Sequence, residues 1–535
     1  MKATLGMRSI RVFLCGVVLL AAAGVPAARG QRTAPAPPTF RVTSNLVFLD
    51  VTVVDKKGRV VTSGLTKDDF AITENKKPQR IFSFDAPATG AKTAENAPAT
   101  ILVLDLLNTP SSDFAYGRDS IRRYLALQPD KLNSSTELMV LNNTTLDMVQ
   151  AYTRSRSDLV YELNHVPPAQ PYKLSGGEWA GERLSQSIEA LQQIALQNKG
   201  LPGRKNILWV GSGGPSILMD PADPRYDKSM RFFAHGTTNM LMDARMSVFL
   251  INPRGVQSAQ DPNYFRIGRV NAFPAEDESE GDPFAGTINF GLLVRGTGGM
   301  YFHDRNDVDA EIREAQELGS KYYTLTYQPP AGEPDGRFRN IRVTLRDPDL
   351  LAMTKTGYYS PEEPTAADPL PQRVNAMVEI SEAAQSSVPF DGLGMTIEKV
   401  VRHPETSTAE VTVLLKSTHL RWQATEDGGS GTNITVAAVS LSGRRDVLGS
   451  RLKKLTVVSN SQDAVRLAQS NTLLTLTVPV PRHTQSVRVV IRTDDGGQVG
   501  TAEIDHKTLE TAPEIPRPNP KLLPRPRPVT LGPMP

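Results

Sequence analysis

The sequence predicts a protein with a doubly wound, mostly parallel α/β domain between β segments, and a separate β-sandwich at its C-terminal end. Three observations predict this architecture. Residues 40–86 alternate apolar and polar side chains, as strands do, but form too small a sheet to be stable alone. Between residues 97 and 320, continuous apolar runs alternate with amphipathic segments, which is typical of buried parallel strands and covering helices. Residues 388–510 contain short apolar segments separated by turns.

The elements of the α/β region follow in a regular order. Each predicted strand is a short buried run, and each predicted helix carries an apolar stripe at helical spacing. Trp209 is a predicted core residue of the central strand. The predicted strands are 101–104, 138–141, 146–149, 206–210, 247–251 and 300–302, and the predicted helices are 113–127, 156–163, 182–197, 239–246, 289–297 and 308–318.

Three further segments are predicted to connect or flank these domains. Residues 31–39 and 361–387 are rich in proline and polar residues, so we expect linkers there. Residues 511–535 form a tail rich in proline and arginine that has too few apolar residues to pack a core, and we expect it to be disordered.

The N-terminal 30 residues have the composition of a secretory signal peptide. Basic side chains precede an apolar run at 12–23, and small residues lie before Gln31. We therefore expect an exported protein that is periplasmic, attached to the outer envelope or extracellular. An uncleaved N-terminal anchor is the alternative. No other apolar run approaches membrane-spanning length, so a multi-span membrane protein is excluded and no span is expected after cleavage.

Removal of this segment would change the chemistry of the chain. The single cysteine, Cys15, lies inside the apolar run, so the mature chain would have no thiol for catalysis or for zinc and iron–sulfur ligation. The formal charge of the 535 residues is +3, but the first 30 carry four basic and no acidic side chains. The mature chain then has 56 basic and 57 acidic groups, about −1, which does not favour nucleic acid as a partner.

Several sequence blocks in residues 40–360 resemble the acidobacterial von Willebrand factor A-related proteins. The first block, 64–70, is followed by Glu74 and 79–81, and the second contains the predicted central strand. The order and spacing of the blocks carry the resemblance. The second block is 203–210, and the later blocks are 297–299, 322–327, 336–343 and 357–359.

The resemblance implies a particular domain arrangement. A von Willebrand A-type α/β domain, residues 97–320, would be inserted in a small split β-sandwich formed by residues 40–86 and 321–360. An Ig-like β-sandwich, residues 388–510, would follow. This arrangement would give the strands of 40–86 the partners that they need.

Typical A-type domains carry a divalent-cation site whose first strand ends in Asp-x-Ser-x-Ser. Asp105 and Thr109 match that pattern, but Leu107 stands in place of a serine. No threonine occurs between Thr153 and Thr237, where a further ligand is expected, and Gly213 stands where an aspartate is expected. We therefore interpret the metal site as degenerate, with Asp105 bonded at a strand end and Thr109 capping a helix. No cofactor is expected, and Mg²⁺ or Ca²⁺ binding is the alternative.

These observations predict a non-enzymatic protein that binds another protein for adhesion or as an envelope scaffold. Open α/β sheets bind their ligands outside the carboxyl ends of the strands. The identity of the protein partner is not encoded in any motif. A metal-dependent adhesin and an exported hydrolase are the alternatives, although no nucleophile–base motif is present. The predicted partner-binding loops contain Asn108, Ser111, Ser112, Ser212 and Gly213.

Overall fold

A computed structural model describes two compact units, residues 46–375 and residues 376–514. The predicted signal peptide, the linker at 31–39 and residues 515–535 of the predicted tail lie outside the described residues. The described ranges are 46–87, 98–143, 145–167, 178–215, 217–218, 224–256, 283–284, 287–288, 290–330, 335–360, 371–425, 429–459, 471–494 and 497–514.

The centre of the first unit is a six-stranded sheet. Its spatial order is β12-β10-β8-β5-β6-β7, which is the doubly wound order 3-2-1-4-5-6 when the six strands are counted along the chain. Five strands are parallel, and β7 is antiparallel to β6. The strands are β5 (Ala99–Asp105), β6 (Lys131–Leu141), β7 (Leu146–Ser155), β8 (Lys205–Val210), β10 (Met246–Ile251) and β12 (Tyr301–Phe302).

Helices cover both faces of this sheet, because its central strands are apolar on both sides. Leu102 and Leu208 face the core formed with α1 and α6, whereas Trp209 faces Phe290 of α5 with ring centroids 4.7 Å apart. The helices are α1 (Ser111–Ala126), α2 (Arg156–His165), α3 (Glu178–Asn198), α4 (Pro224–Asp243), α5 (Phe290–Gly296) and α6 (Val308–Ser320). Two short strands, β9 (Ile217–Leu218) and β11 (Thr287–Ile288), pair with each other.

Two four-stranded antiparallel sheets form the rest of the first unit. One has the order β15-β1-β13-β4 and the other β16-β14-β2-β3. A shared core, including Leu49, Ile72 and Leu325, lies between them. Each sheet thus joins strands from before and after the α/β region. The strands are β1 (Val47–Asp55), β2 (Phe70–Glu74), β3 (Lys77–Gln79), β4 (Ile81–Asp85), β13 (Tyr323–Tyr327), β14 (Phe338–Leu345), β15 (Leu350–Met353) and β16 (Gly357–Tyr359).

The second unit consists of two antiparallel sheets that share one apolar core, with a helix before them and one after them. Its sheets have the orders β17-β18-β22 and β19-β20-β23-β24, and β21 also pairs with β20. The elements are α7 (Pro371–Gln385), β17 (Met395–His403), β18 (Thr408–Lys416), β19 (Gln423–Ala424), β20 (Ser430–Leu441), β21 (Val447–Ser459), β22 (Asn471–Pro479), β23 (Ser486–Thr493), β24 (Val499–Asp505) and α8 (His506–Thr511).

The prediction of a mixed protein, with a parallel-containing sheet and antiparallel sandwich sheets, is confirmed. Helix α7 lies within the segment 361–387 that was predicted to be a linker. The prolines that favour a linker include Pro371, which begins the helix, and the following Ile380, Ala383 and Ala384 are buried. Among the described residues, no helix has both the length and the hydropathy needed to cross a membrane.

We predict that one buried hydrogen bond makes a large contribution to the stability of the sandwich. Tyr327 Oη donates to Glu74 Oε2 at 2.6 Å, whereas Tyr358 Oη lies 3.4 Å from the same oxygen. Tyr327→Phe should lower the free energy of unfolding by about 2 kcal/mol, because it removes the close donor from a buried carboxyl. Tyr358→Phe is the control, with a loss below about 1 kcal/mol. Urea denaturation measures both, and equal losses would contradict the prediction.

Candidate functional site

The predicted site residues lie at the carboxyl edge of the central sheet. Asp105 ends β5, and Gly211 follows β8, the parallel neighbour of β5. This is the point where the strand order of the sheet reverses, and crevices that bind ligands form there in open α/β sheets. The geometry around Asp105 therefore decides what this edge can bind.

Asp105 is fully buried and accepts hydrogen bonds from nitrogen donors only. The Trp209 indole Nε1 donates to Oδ2 at 3.0 Å. The Asn108 backbone nitrogen donates to Oδ1 at 2.9 Å, and its side-chain Nδ2 lies 3.2 and 3.1 Å from the two oxygens. Asn108 Nδ2 also donates to Ser187 Oγ at 2.9 Å. The carboxyl group is consequently held by the protein itself.

Burial and hydrogen bonding have opposite effects on Asp105. Burial raises the pKa of its carboxyl group, and the donors of Trp209, Asn108 and the Gly213 backbone lower it. The effect of burial is larger, so the pKa lies above the ordinary aspartate value. The arrangement is that of a structural carboxyl group whose acceptors are already used.

The interpretation of Thr109 as a helix cap is wrong, because the N-cap residue of α1 is Pro110 and no side chain caps it. Thr109 instead fixes the loop that follows β8. Its hydroxyl oxygen accepts a hydrogen bond from the Ser212 backbone nitrogen at 3.0 Å. A Cβ at Gly211 would lie 2.5 Å from Asp105 Cβ and 2.6 Å from Thr109 Oγ1. The glycine therefore lets the end of β8 approach the end of β5 closely.

The residues at this edge do not fit a divalent-cation site. Mg²⁺ and Ca²⁺ need several free oxygen ligands. Both Asp105 oxygens face N–H donors, Thr109 accepts from a backbone amide, and Leu107 is buried where an oxygen ligand is needed. Among the described residues, no group of three or more His, Cys, Asp and Glu side chains is arranged to hold a metal ion.

The predicted partner-binding residues differ in exposure. Ser111 and Ser112 are exposed at the start of α1, and Asn108 and Ser212 are partly buried. Gly213 is buried, and a Cβ there would lie 3.1 Å from the Phe290 ring, so it supports the loop instead of presenting a contact surface.

Sequence reasoning missed the partners that satisfy Asp105. Trp209 was predicted only as a core residue, and it is indeed buried, but its indole is also a donor to the carboxylate. The two residues are 104 positions apart, so no local motif connects them. The available signal was the register of parallel strands, which brings the ends of β5 and β8 together.

A second buried carboxyl group, Glu311 of α6, lies in the same domain. It is fully buried, neither oxygen has a hydrogen-bond partner, and the nearest cation is Arg305, with Nε at 3.7 Å. Burial raises the pKa of Glu311 to about 7. This residue titrates near neutral pH without any role in the Asp105 cluster.

Comparisons with known proteins give only distant structural similarity. No family model matches the chain, and no curated protein matches its sequence. The chain is similar to an aspartate-to-alanine mutant of the PilB minor pilin from Streptococcus sanguinis, with 10% identity over 51% of this chain and 78% of that one, at a TM-score of 0.27.

Two other solved structures cover less of the chain. The SpRpn10 VWA domain has 12% identity over 29% of this chain and 89% of its own, at a TM-score of 0.17. The TFIIH p34 N-terminal domain has 11% identity over 30% of this chain and 81% of its own, at a TM-score of 0.19. The von Willebrand A-type domain is thus a weak structural neighbour at low coverage.

We predict that Gly211→Ala destabilises the first unit by about 2 kcal/mol or more, because the new methyl group overlaps Asp105 and Thr109. Gly236→Ala is the matched control, since a Cβ in that helix meets nothing within 4 Å. Helix propensity makes the control neutral or slightly stabilising. Thermal unfolding of both variants measures the difference, and an unchanged midpoint for Gly211→Ala would contradict the close packing.

We predict that Glu311 makes stability depend on pH. Its folded pKa of about 7 exceeds the usual 4.5, so the stabilising contribution is complete below pH 4.5 and is lost as pH rises to about 7. Glu311→Gln should remove about 2 kcal/mol of this pH dependence. Denaturation at pH 5 and pH 8 tests it, with the exposed Glu317→Gln as control. Parallel pH profiles for wild type and Glu311→Gln would contradict it.

Proposed function

We propose that the chain is an exported, non-enzymatic interaction protein that binds another protein at the carboxyl edge of its α/β sheet. The observation that carries the proposal is the state of Asp105. Its carboxylate is saturated by Trp209 and Asn108, so it is neither a free metal ligand nor an accessible acid or base. Beside it, Ser111 and Ser112 present polar side chains to solvent. A contact made by these loops needs no cation.

The proposed family and domain type support the same function. We propose that residues 97–320 form a von Willebrand A-type domain of the acidobacterial A-related family, on the sequence blocks that resemble it. The doubly wound strand order agrees with that assignment. Fold by itself does not fix function, so the argument depends on the chemistry of the edge.

Export is supported by the sequence of residues 1–30, which has the charge and apolar pattern of a signal peptide. We propose that the mature chain acts in the periplasm, at the outer envelope or outside the cell. The second unit, as an Ig-like sandwich, and the Pro/Arg-rich tail would orient or attach the interaction domain.

We predict that the partner is lost when a bulky charged side chain is placed at the exposed start of α1. Tagged protein spanning 31–535 is used to capture the partner from envelope extract, and the purified partner is then titrated with wild type and Ser112→Arg. Affinity should fall at least about tenfold, because the bulky charge blocks the contact surface. Asn133→Arg is the matched control, since Asn133 is also polar and exposed but lies at the opposite, amino edge of the sheet.

The titration is repeated with EDTA and with added Mg²⁺ or Ca²⁺. Affinity should not change, because the Asp105 oxygens have no free position for a cation. The metal-dependent adhesin would be favoured instead if EDTA abolished binding and added metal restored it. Asp105→Ala would then fail to bind even with the metal present. If Ser112→Arg binds the partner as tightly as wild type does, the contact surface does not lie at this edge.

A further inference from the structure

A cleft on the first unit lies away from Asp105, between strand β1 of the sandwich and the α/β domain. The cleft is partly open to solvent. Asp50 of β1 lies on one side, Arg245 and Ser247 lie near the start of β10, and Thr354 and Lys355 lie in the loop between β15 and β16. We call it the Lys355 cleft.

Cations outnumber carboxylates around the Lys355 cleft. Asp50 is satisfied within the protein, because Arg245 Nε donates to Oδ2 at 3.1 Å, a second Arg245 nitrogen pairs with Oδ1, and the Thr324 hydroxyl donates to Oδ1 at 3.0 Å. Arg204 and Lys205 are buried behind this pair and interact electrostatically with Asp50. Asp85 interacts with Arg245, and Asp243 interacts with Lys355. With these two, three carboxylates face four cations, of which Arg204 and Lys205 are buried.

Arg204 and Lys205 use neutral acceptors. Arg204 Nη1 donates to Thr52 Oγ1 at 2.9 Å. Lys205 Nζ donates to the carbonyl oxygens of Leu201 and Gly203 at 2.6 and 3.1 Å. These bonds satisfy donors but do not compensate charge. Buried positive charge that is only partly compensated is costly, so this region favours an added anion.

Lys355 lines the cleft together with Arg245. Its ammonium makes no hydrogen bond or ion pair with the residues that the structure describes, and burial lowers its pKa to about 8. Beside it, the Thr354 hydroxyl oxygen is buried and has no hydrogen-bond partner. Two adjacent donors are therefore unused at one wall of the cleft.

The backbone around these donors is held in place. Gly298 has φ +77°, and a Cβ there would lie 2.5 Å from the Thr354 carbonyl carbon. The Thr356 backbone nitrogen donates to the Gly296 oxygen at 3.1 Å, and its carbonyl accepts from the Ile341 nitrogen at 2.7 Å. The donors are thus positioned before any ligand arrives, which reduces the entropy cost of binding.

We propose that the Lys355 cleft binds the carboxylate group of a small aliphatic acid, with Lys355 as counter-ion and the Thr354 hydroxyl as second donor. One ammonium and one hydroxyl match the two oxygens of a carboxylate. Met242 and Met246 also line the cleft and offer an apolar surface to a short alkyl chain. The charge of Asp50 does not repel this ligand strongly, because Arg245 neutralises it.

Binding should depend on pH through Lys355. Asp50 and Asp243 favour its charged form, whereas burial and Arg245 disfavour it. Only the protonated amine can pair with a carboxylate, so affinity should be greatest below pH 8 and fall as pH rises through that value.

Calorimetric titration of the full chain with butyrate at constant ionic strength tests the proposal, with butyramide as the uncharged probe of the same shape. We expect saturable binding of butyrate only. Lys355→Met should reduce affinity about tenfold or more and remove its pH dependence, and Thr354→Val should reduce it severalfold. Lys57→Met, which changes an exposed lysine of the same unit, should leave affinity unchanged.

Three results would overturn the proposal. The first is equal butyrate affinity in wild type and in a folded Lys355→Met variant. The second is equal binding of butyrate and butyramide. The third is tight binding of inorganic phosphate without any binding of butyrate. Thr354→Val keeps the test valid if Lys355→Met fails to fold, because it removes one unused hydroxyl and preserves side-chain shape.

Discussion

The buried hydroxyl group of Thr52 joins the three parts of the first unit. It donates to the Leu318 carbonyl oxygen at 2.8 Å, where α6 ends, and accepts from Arg204, which precedes β8. Thr52 and Leu318 are 266 residues apart, so the sandwich closes only when the α/β domain has brought its own two ends together. Because closing so long a loop costs entropy, the packed α/β core and the β1–β13 pairing must stabilise each other.

The same closure explains why the two sites have different chemistry. At the carboxyl edge, the parallel register of β5 and β8 brings Trp209 to Asp105, and the resulting hydrogen bonds use up the carboxylate. On the side facing the sandwich, closure brings Arg204, Lys205 and Arg245 together around Asp50. One region therefore has a carboxyl group whose oxygens are fully hydrogen-bonded, and the other has four cations for three carboxylates.

Local patterns in the sequence predicted the elements better than their partners. The apolar runs at 101–104 and 206–210 lie within β5 and β8, but the antiparallel direction of β7 was not predicted. Only a short turn separates β6 from β7, and a parallel pair needs a long crossover, so the spacing contained that signal. The Asp105–Trp209 and Asp50–Arg245 pairs are set by tertiary packing across long sequence separations, which no local motif encodes.

Arg245 forms an ion pair with Asp50 of the sandwich and also lines the Lys355 cleft. It has φ 54° directly after Ala244, at the end of α4, a left-handed conformation in which glycine is usual and a larger residue costs about 1 kcal/mol. Its guanidinium group offsets that cost by pairing with Asp50 and lying 5.7 Å from the centre of the Phe48 ring. A glycine would relieve the backbone but remove the ion pair of Asp50, whose existing attraction for the Lys355 ammonium would then be stronger. The strained arginine thereby leaves Lys355 available to an external anion.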